Sequence, residues 1–292
     1  MKKFSKNRFF YLMLIPIALY FIVFTYYPLA LGVYNSFRDV KMFGSTFVGM
    51  ENYKTVMIHP QYKQAFVNTL VVNSITFVIQ FVWGLLLALA LNEIKKKTIK
   101  SAIQSISYLP YLLSWSVVGG IWISILSPTG LLNGLLSMFS GKNSQIIFMA
   151  EPSMARTIMV FTGAWKQAGY SAVLFLAAVV GFDTSIYEAA SIDGASRFQQ
   201  ITKITVPLLV PTMKVVFMFG IMGILRNFDQ IFVMGNANIY DKIRNLLFLV
   251  YDNGIKRMQI GSSTAAASLI LLVTIVISSV IRKIIKYDES YD

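Results

Sequence analysis

Apolar residues in this chain come in blocks of 20 or more, long enough to cross the roughly 30 Å of hydrocarbon in a bilayer. Six such blocks predict helices over about 9–36, 65–92, 101–127, 157–181, 208–234 and 261–282. The first run, from Phe9 to about Ser36, is too long for the apolar region of a signal peptide and lacks a small-residue cleavage site. It reads as a retained first span. Pro16, Pro28 and Pro110 fall inside the first and third blocks, where a proline kinks or ends a helix.

A soluble reading fails on charge. Only 13% of the 292 residues are charged, about half the fraction a globular surface needs. The net charge of +13 invites nucleic acid as a partner, but the basic residues do not form a stripe. Lys2, Lys3, Lys6 and Arg8 precede the first block, Lys95, Lys96, Lys97 and Lys100 follow the second, and Arg282, Lys283 and Lys286 follow the last. Positive charge at span ends marks cytoplasmic loops rather than a phosphate-tracking surface. With the N-terminus inside, the inner segments hold 12 Lys and Arg in 51 positions, 13 with Arg282 at the border, and the outer ones 10 in 83. Both termini are therefore expected in the cytoplasm. The absence of cysteine excludes disulfides and thiol chemistry, and no metal-ligating cluster stands out. The outer loops are each under 30 residues, too short for a ligand-binding domain. The whole of 1–292 is expected to be one membrane domain.

The segment 182–206 is too polar to span and falls on the predicted inner side. Ser185 followed by Glu188 has the spacing of a capping box, which starts a short helix over about 186–193. Gly194 permits a left-handed turn. Arg197 to Ile204 then suits a second short helix before Pro207 opens the fifth span. A small Ala189/Ala190 face between two such helices has the shape to enter a partner's groove.

Glu188-Ala189-Ala190, Gly194 and Ile204-x-Val206-Pro207 resemble the EAA loop of binding-protein-dependent ABC importer permeases: E-A-A, three residues, G, nine residues, I-x-L-P. Val206 replaces the usual Leu. Asp193 and Arg197 lie inside the same motif. Tyr108-Leu-Pro110, Gly130-Leu-Leu-Asn133, Trp165-Lys166 and Asn227-Phe-Asp-Gln230 are similar to the carbohydrate-uptake branch, nearest to permeases for polysaccharides and complex oligosaccharides. The resemblance runs from Phe9 to Arg282. It implies an all-α type I ABC importer permease fold in the cytoplasmic membrane of a bacterium. It also implies a second, related permease, two ATPase subunits that hold ATP and Mg, an extracellular solute-binding protein and a carbohydrate substrate. No phosphate loop is expected here, because Gly141-Lys142 is followed by Asn143 and has Leu136 where the first glycine belongs. The chain is thus expected to be a transport subunit with no catalytic residues of its own.

In sugar permeases of that family the helices on either side of the loop line the sugar cavity. Counted from the motif, the lining positions are Lys166, Gln167 and Tyr170 before it, and Gly220, Gly223, Ile224 and Asn227 after it. The spacing agrees with a shared face in each helix. Other readings stand beside this one. Gly220 and Gly223 also suit close helix packing. Arg226 and Asp229, three apart, suit a mutually neutralising pair near the outer surface. Trp115 and Trp122 suit a lipid or core position. An ion-coupled secondary transporter is the alternative from another class. It should carry an unpaired carboxylate deep in a span, and Asp229 is the one clear intramembrane acid.

The orientation is tested with single cysteines. Those at Lys54, Lys142 and Lys242 should react with an impermeant thiol reagent from outside, and those at Lys97 and Gln200 should not. Outside labelling of Gln200→Cys would overturn the six-span topology.

Overall fold

A computed structural model of the chain describes residues 8–41, 44–140 and 145–284. Lys2, Lys3, Lys6, Lys286 and the Gly141-Lys142 pair lie outside the described residues. The chain forms two compact units, one of residues up to Lys63 with Leu249–Leu272, the other of Gln64–Phe248 with the chain from Val273 onward.

In the first unit the helical stretch Leu12–Ser36 is long and apolar enough to span. Pro28 does not break it. A π-helical segment, Ile22–Tyr26, sits directly before the proline. A wide turn there relieves the clash between the ring and the carbonyl four residues back. Next comes an antiparallel hairpin, Arg38–Lys41 with Gly44–Phe47, the one β element among the described residues. It is anchored by Asn52, whose Nδ2 donates to the carbonyls of Ser36 and Arg38, both at 2.9 Å. The buried Ser36 hydroxyl also meets Tyr53 Oη at 2.7 Å.

The second unit holds the parts that matter for function. The helices Pro60–Glu93 and Pro152–Val180 supply its long second and fourth spans. The third span is broken. Lys97–Leu112 and Trp115–Ile125 meet at 102° across Leu113 and Ser114. The break stops short of the straight 101–127 helix that hydropathy alone suggests, and it lies just beyond Pro110. Ser114 caps the second half by accepting from Val117 N. The fifth span differs more. It runs without interruption from Arg197 to Ile224 and stops ten residues before the expected end. The helix Asp229–Met234 is separate and packs beside Trp115–Ile125. Pro207 therefore does not open the span. As at Pro28, a π segment precedes it, here Ile201–Thr205, and the helix continues through. The sixth span, Ile260–Ile284, matches expectation within two residues.

Two apolar clusters hold the second unit. Val72, Met159, Ile231, Met234, Ile243 and Phe248 form one, and Ala88, Leu91, Phe175, Val179 and Leu209 the other. Small residues permit the close approaches. A Cβ on Gly84 would lie 2.5 Å from Ser171 Cβ, and one on Gly169 would strike the Ser107 carbonyl. That contact lets the fourth span pack along Lys97–Leu112. The Gly130-to-Asn133 motif is structural too. Asn133 is buried and donates to Ser127 O and Ile146 O at 2.9 Å, while accepting from Ile146 N at 3.0 Å.

Gly169→Ala should lower the thermal midpoint of the purified protein, on the scale of about 1–3 kcal/mol for overpacking. Gly120→Ala, where a Cβ meets nothing within 4 Å, should leave it unchanged or raised. Equal midpoints would refute the close approach at Gly169.

Candidate functional site

Side chains from the second, third, fourth and fifth spans enclose a cavity of about 380 Å³. The fifth span supplies Gly220, Gly223 and Ile224, followed by Asn227 in the break beyond it. The fourth span supplies Gln167 and Tyr170. Six of the seven candidate path residues are thus brought to one place.

Lys166 is the exception and does not line the cavity. It is buried, and its ammonium donates to Pro110 O at 3.1 Å and Tyr111 O at 3.0 Å. These carbonyls end the first half of the broken third span, where a helix leaves acceptors unpaired and carries partial negative charge. Lys166 caps that end. It also lies 5.6 Å from the Tyr111 ring centroid and 5.5 Å from that of Trp115. Both are cation–π distances.

Trp115, read from sequence as a core or lipid-facing residue, stands on the cavity wall with Asn73, Thr76, Phe77 and Gln80 of the second span. Sequence reasoning missed this second-span face. Its signal was there: Thr69, Asn73, Thr76 and Gln80 form a polar stripe at helical spacing inside an otherwise apolar helix.

An amide network fixes the far end of the cavity. Asn73 Nδ2 donates to Ile224 O at 2.5 Å, taking up a terminal carbonyl of the fifth span. Asn227 Nδ2 donates to Asn73 Oδ1 and Gln230 Oε1, both at 3.0 Å. Gln230 is buried and donates to Met159 O at 2.7 Å and Thr162 Oγ1 at 2.9 Å. Asn245 Nδ2 donates to Asn227 O. Asn227 therefore has a structural duty as well as a place on the wall. Arg226 and Asp229 both line the cavity, and no ion pair joins them. The mutually neutralising pair is not formed.

The two glycines behave differently. A Cβ on Gly220 would run into the Phe77 ring, so this glycine serves packing, whereas one on Gly223 meets nothing within 4 Å.

The polar loop after the fourth span has a defined shape. Its helix is Thr184–Ile192, and the pair bends by 72° at Gly181–Asp183. Ser185 and Glu188 do not form the expected capping box. Asp183 is the cap and accepts from Ser185 N at 2.9 Å, which puts apolar Ile186 three residues on, where a box needs Glu or Gln. Backbone and side-chain hydrogen bonds from Ser185 hold the Asp183 carboxyl below its ordinary range. The cap's contribution is thus present at neutral pH and fades as acidification protonates it. The helix ends as expected. Gly194 has φ +77, Ala195 N donates to Ala190 O at 2.9 Å and Gly194 N to Ser191 O at 3.1 Å. This is the Schellman pattern, with Asp193 as the cap residue.

The capping box occurs one helix later. Ser196 N donates to Gln199 Oε1 at 2.7 Å and Gln199 N to Ser196 Oγ at 3.3 Å, opening the helix at Arg197. Two side-chain links fasten the loop to the fifth span. Tyr187 Oη and Thr205 Oγ1 are 3.0 Å apart, and the buried Gln200 donates to Ser191 Oγ at 2.9 Å. Burial makes Gln200 a poor labelling site from either side, so the exposed Lys203 is the better probe. Glu188, Ala189, Ile192 and Phe198 are exposed on the loop.

Residues 58–286 match the family of binding-protein-dependent transport system inner membrane components. The Bacillus subtilis protein LplB is 33% identical over 89% of this chain and 83% of its own length. The polygalacturonan/rhamnogalacturonan transport system permease protein YteP of the same organism is 31% identical over 90% and 83%. Among solved structures, a chain of a bacterial ABC transporter involved in the import of the acidic polysaccharide alginate superposes with a TM-score of 0.90. It is 29% identical, with 98% of this chain and 97% of that one covered.

Alanine at the two cavity glycines should separate packing from lining. Gly220→Ala should displace Phe77 and lower the thermal midpoint, and Gly223→Ala should narrow the cavity with the midpoint unchanged. A midpoint loss of equal size in both would show that Gly223 is also a packing position.

Proposed function

The chain belongs to the family of binding-protein-dependent transport system inner membrane components, and from that premise we propose that it is one permease of an ATP-driven carbohydrate importer. With a second, related permease it forms the path for an oligosaccharide delivered by an extracellular solute-binding protein. ATP and Mg are held by two separate ATPase subunits. Both termini lie in the cytoplasm, 1–292 acts as one membrane domain, and membership of this family displaces the ion-coupled secondary transporter.

The observation that carries this reading is the loop from Asp183 to Thr205. Its first helix offers Glu188, Ala189 and Ala190 beside an exposed Ile192, a small apolar face suited to a groove in an ATPase subunit. Gly194 reverses the chain, and the helix that restarts at Arg197 continues for 28 residues to Ile224 at the cavity. The Tyr187–Thr205 and Gln200–Ser191 links tie the docking helix to the base of that long helix. Displacement of the loop by the ATPase then moves the cavity wall without an intervening joint.

The cavity supports the carbohydrate part. It combines aromatic faces (Phe77, Trp115, Tyr170) with amides (Asn73, Gln80, Gln167, Asn227), the mixture that binds the apolar face and the hydroxyls of a sugar ring. The relatives' names point the same way. Lys166 acts here as a positioning residue for the broken third span, and Gln167, Tyr170, Gly220, Gly223, Ile224 and Asn227 form the substrate path.

The test is made on the assembled transporter. Gly194→Val places a β-branched residue at φ +77, a penalty of roughly 1–2 kcal/mol, and pushes bulk toward the groove. Uptake driven by loaded binding protein should fall sharply while membrane insertion persists. The native chain has no cysteine, so Ala190→Cys should form a disulfide with a cysteine placed in the ATPase groove. Normal uptake by Gly194→Val, with no cross-link across a scan of groove positions, would sink the coupling assignment.

A further inference from the structure

We propose that the cavity takes a saccharide bearing a carboxylate, and that Arg226 is the group that binds it. This rests on the carbohydrate reading above and narrows it to acidic sugars.

Three charged groups surround the cavity, and they are not equivalent. Lys166 lies behind the wall with its ammonium committed to Pro110 O and Tyr111 O. Asp229 is on the wall. It also stands in the first turn of the helix Asp229–Met234, where the unpaired N–H groups favour an anion. Arg226 is on the wall too, in the break after the fifth span, where its backbone N–H closes onto Gly223 O at 2.9 Å. The C-terminal end of that span eases the positive charge, but among the described residues no carbonyl or carboxylate accepts from the guanidinium. Arg226 is the one cationic side chain among the described residues that line the cavity.

A charged side chain at a break between membrane spans that faces a cavity marks a substrate path. Arg has a planar fork that matches a carboxylate by two parallel hydrogen bonds. The surrounding surfaces decide what carries that carboxylate. Trp115, Tyr170 and Phe77 offer ring faces, and Gln80 and Gln167 offer amides. An isolated anion such as phosphate would use none of these. A uronate residue within an oligosaccharide uses all of them. Arg226 also sits beside Asn227, whose amide is occupied by Asn73 and Gln230.

The experiment uses the complete transporter, this chain with its partner permease and ATPase subunits, in lipid nanodiscs without binding protein. Equilibrium dialysis compares labelled trigalacturonate with neutral galactotriose of the same length. The acid should bind more tightly by about tenfold, the scale of one charge-assisted hydrogen bond, and the preference should shrink with salt. Arg226→Gln should erase the preference while galactotriose binding is kept, and Arg226→Lys should retain part of it. Asp229→Asn, which removes the opposing carboxylate, should tighten the acid further and keeps the proposal testable should Arg226→Gln fail to assemble. Equal binding of the two saccharides to the unmodified transporter overturns this proposal and leaves the carbohydrate reading intact. A preference that survives Arg226→Gln, or an acid not tightened by Asp229→Asn, removes Arg226 from the role. Binding of neither saccharide overturns the proposal together with the reading it rests on.

Discussion

Wherever a helix stops inside a membrane domain, its terminal carbonyls need a partner from the protein, because hydrocarbon supplies none. The cavity exists because two helices stop, and side chains from neighbours complete both ends. Lys166 reaches from the fourth span to the carbonyls left by the broken third span. Asn73 reaches from the second span to Ile224 O at the end of the fifth. Asn227, Gln230 and Thr162 then carry the chain through its turn. Without these donors each break would leave unpaired groups worth several kcal/mol apiece, and straight helices would be the lower-energy choice. Straight helices would also bring their walls together.

This explains why certain residue clusters that look unrelated along the chain belong together. Tyr108-Leu-Pro110 and Trp165-Lys166 are two halves of one joint, the first supplying the Pro110 carbonyl beside that of Tyr111 and the second the cation. Asn227-Phe-Asp-Gln230 is the hinge of the other. What reads in sequence as a scatter of polar residues in apolar helices is the hydrogen-bonding complement of two interrupted spans.

Much of the architecture was legible. Block length placed helices close to Pro60–Glu93, Pro152–Val180 and Ile260–Ile284, and the spacing from Glu188 to Pro207 located a polar loop with a left-handed Gly194. The errors share a cause. Proline was read as a boundary, yet at Pro28 and Pro207 a widened turn carries the helix past it. Hydropathy carried the fifth span through to residue 234, since Phe228, Ile231 and Phe232 are as apolar as the helix before them. Lys166 was assigned to the path because a lone cation in a span asks for a function, and the broken helix that answers it lies 55 residues away. Ser185 with Glu188 had the spacing of a capping box, but Asp183 stood two residues earlier and took the helix start. Long-range partners of this kind leave no periodic trace.

The widened turn at Ile201–Thr205 has a geometrical meaning for the long helix it interrupts. Each residue of an α-helix advances the direction of its side chains by about 100°. A π segment accommodates one residue beyond the regular count. It therefore absorbs that residue, and Gly220, Gly223 and Ile224 keep nearly the azimuth that a uniform helix one residue shorter would give them. Removal of one residue from 201–205 would restore a uniform helix of the same length in turns with the cavity face where it is, whereas removal of one residue from the regular stretch 212–219 would turn that face by about 100°. The bulge acts as a slack residue between the two ends of this helix, taking up one position of chain without turning the face that borders the cavity.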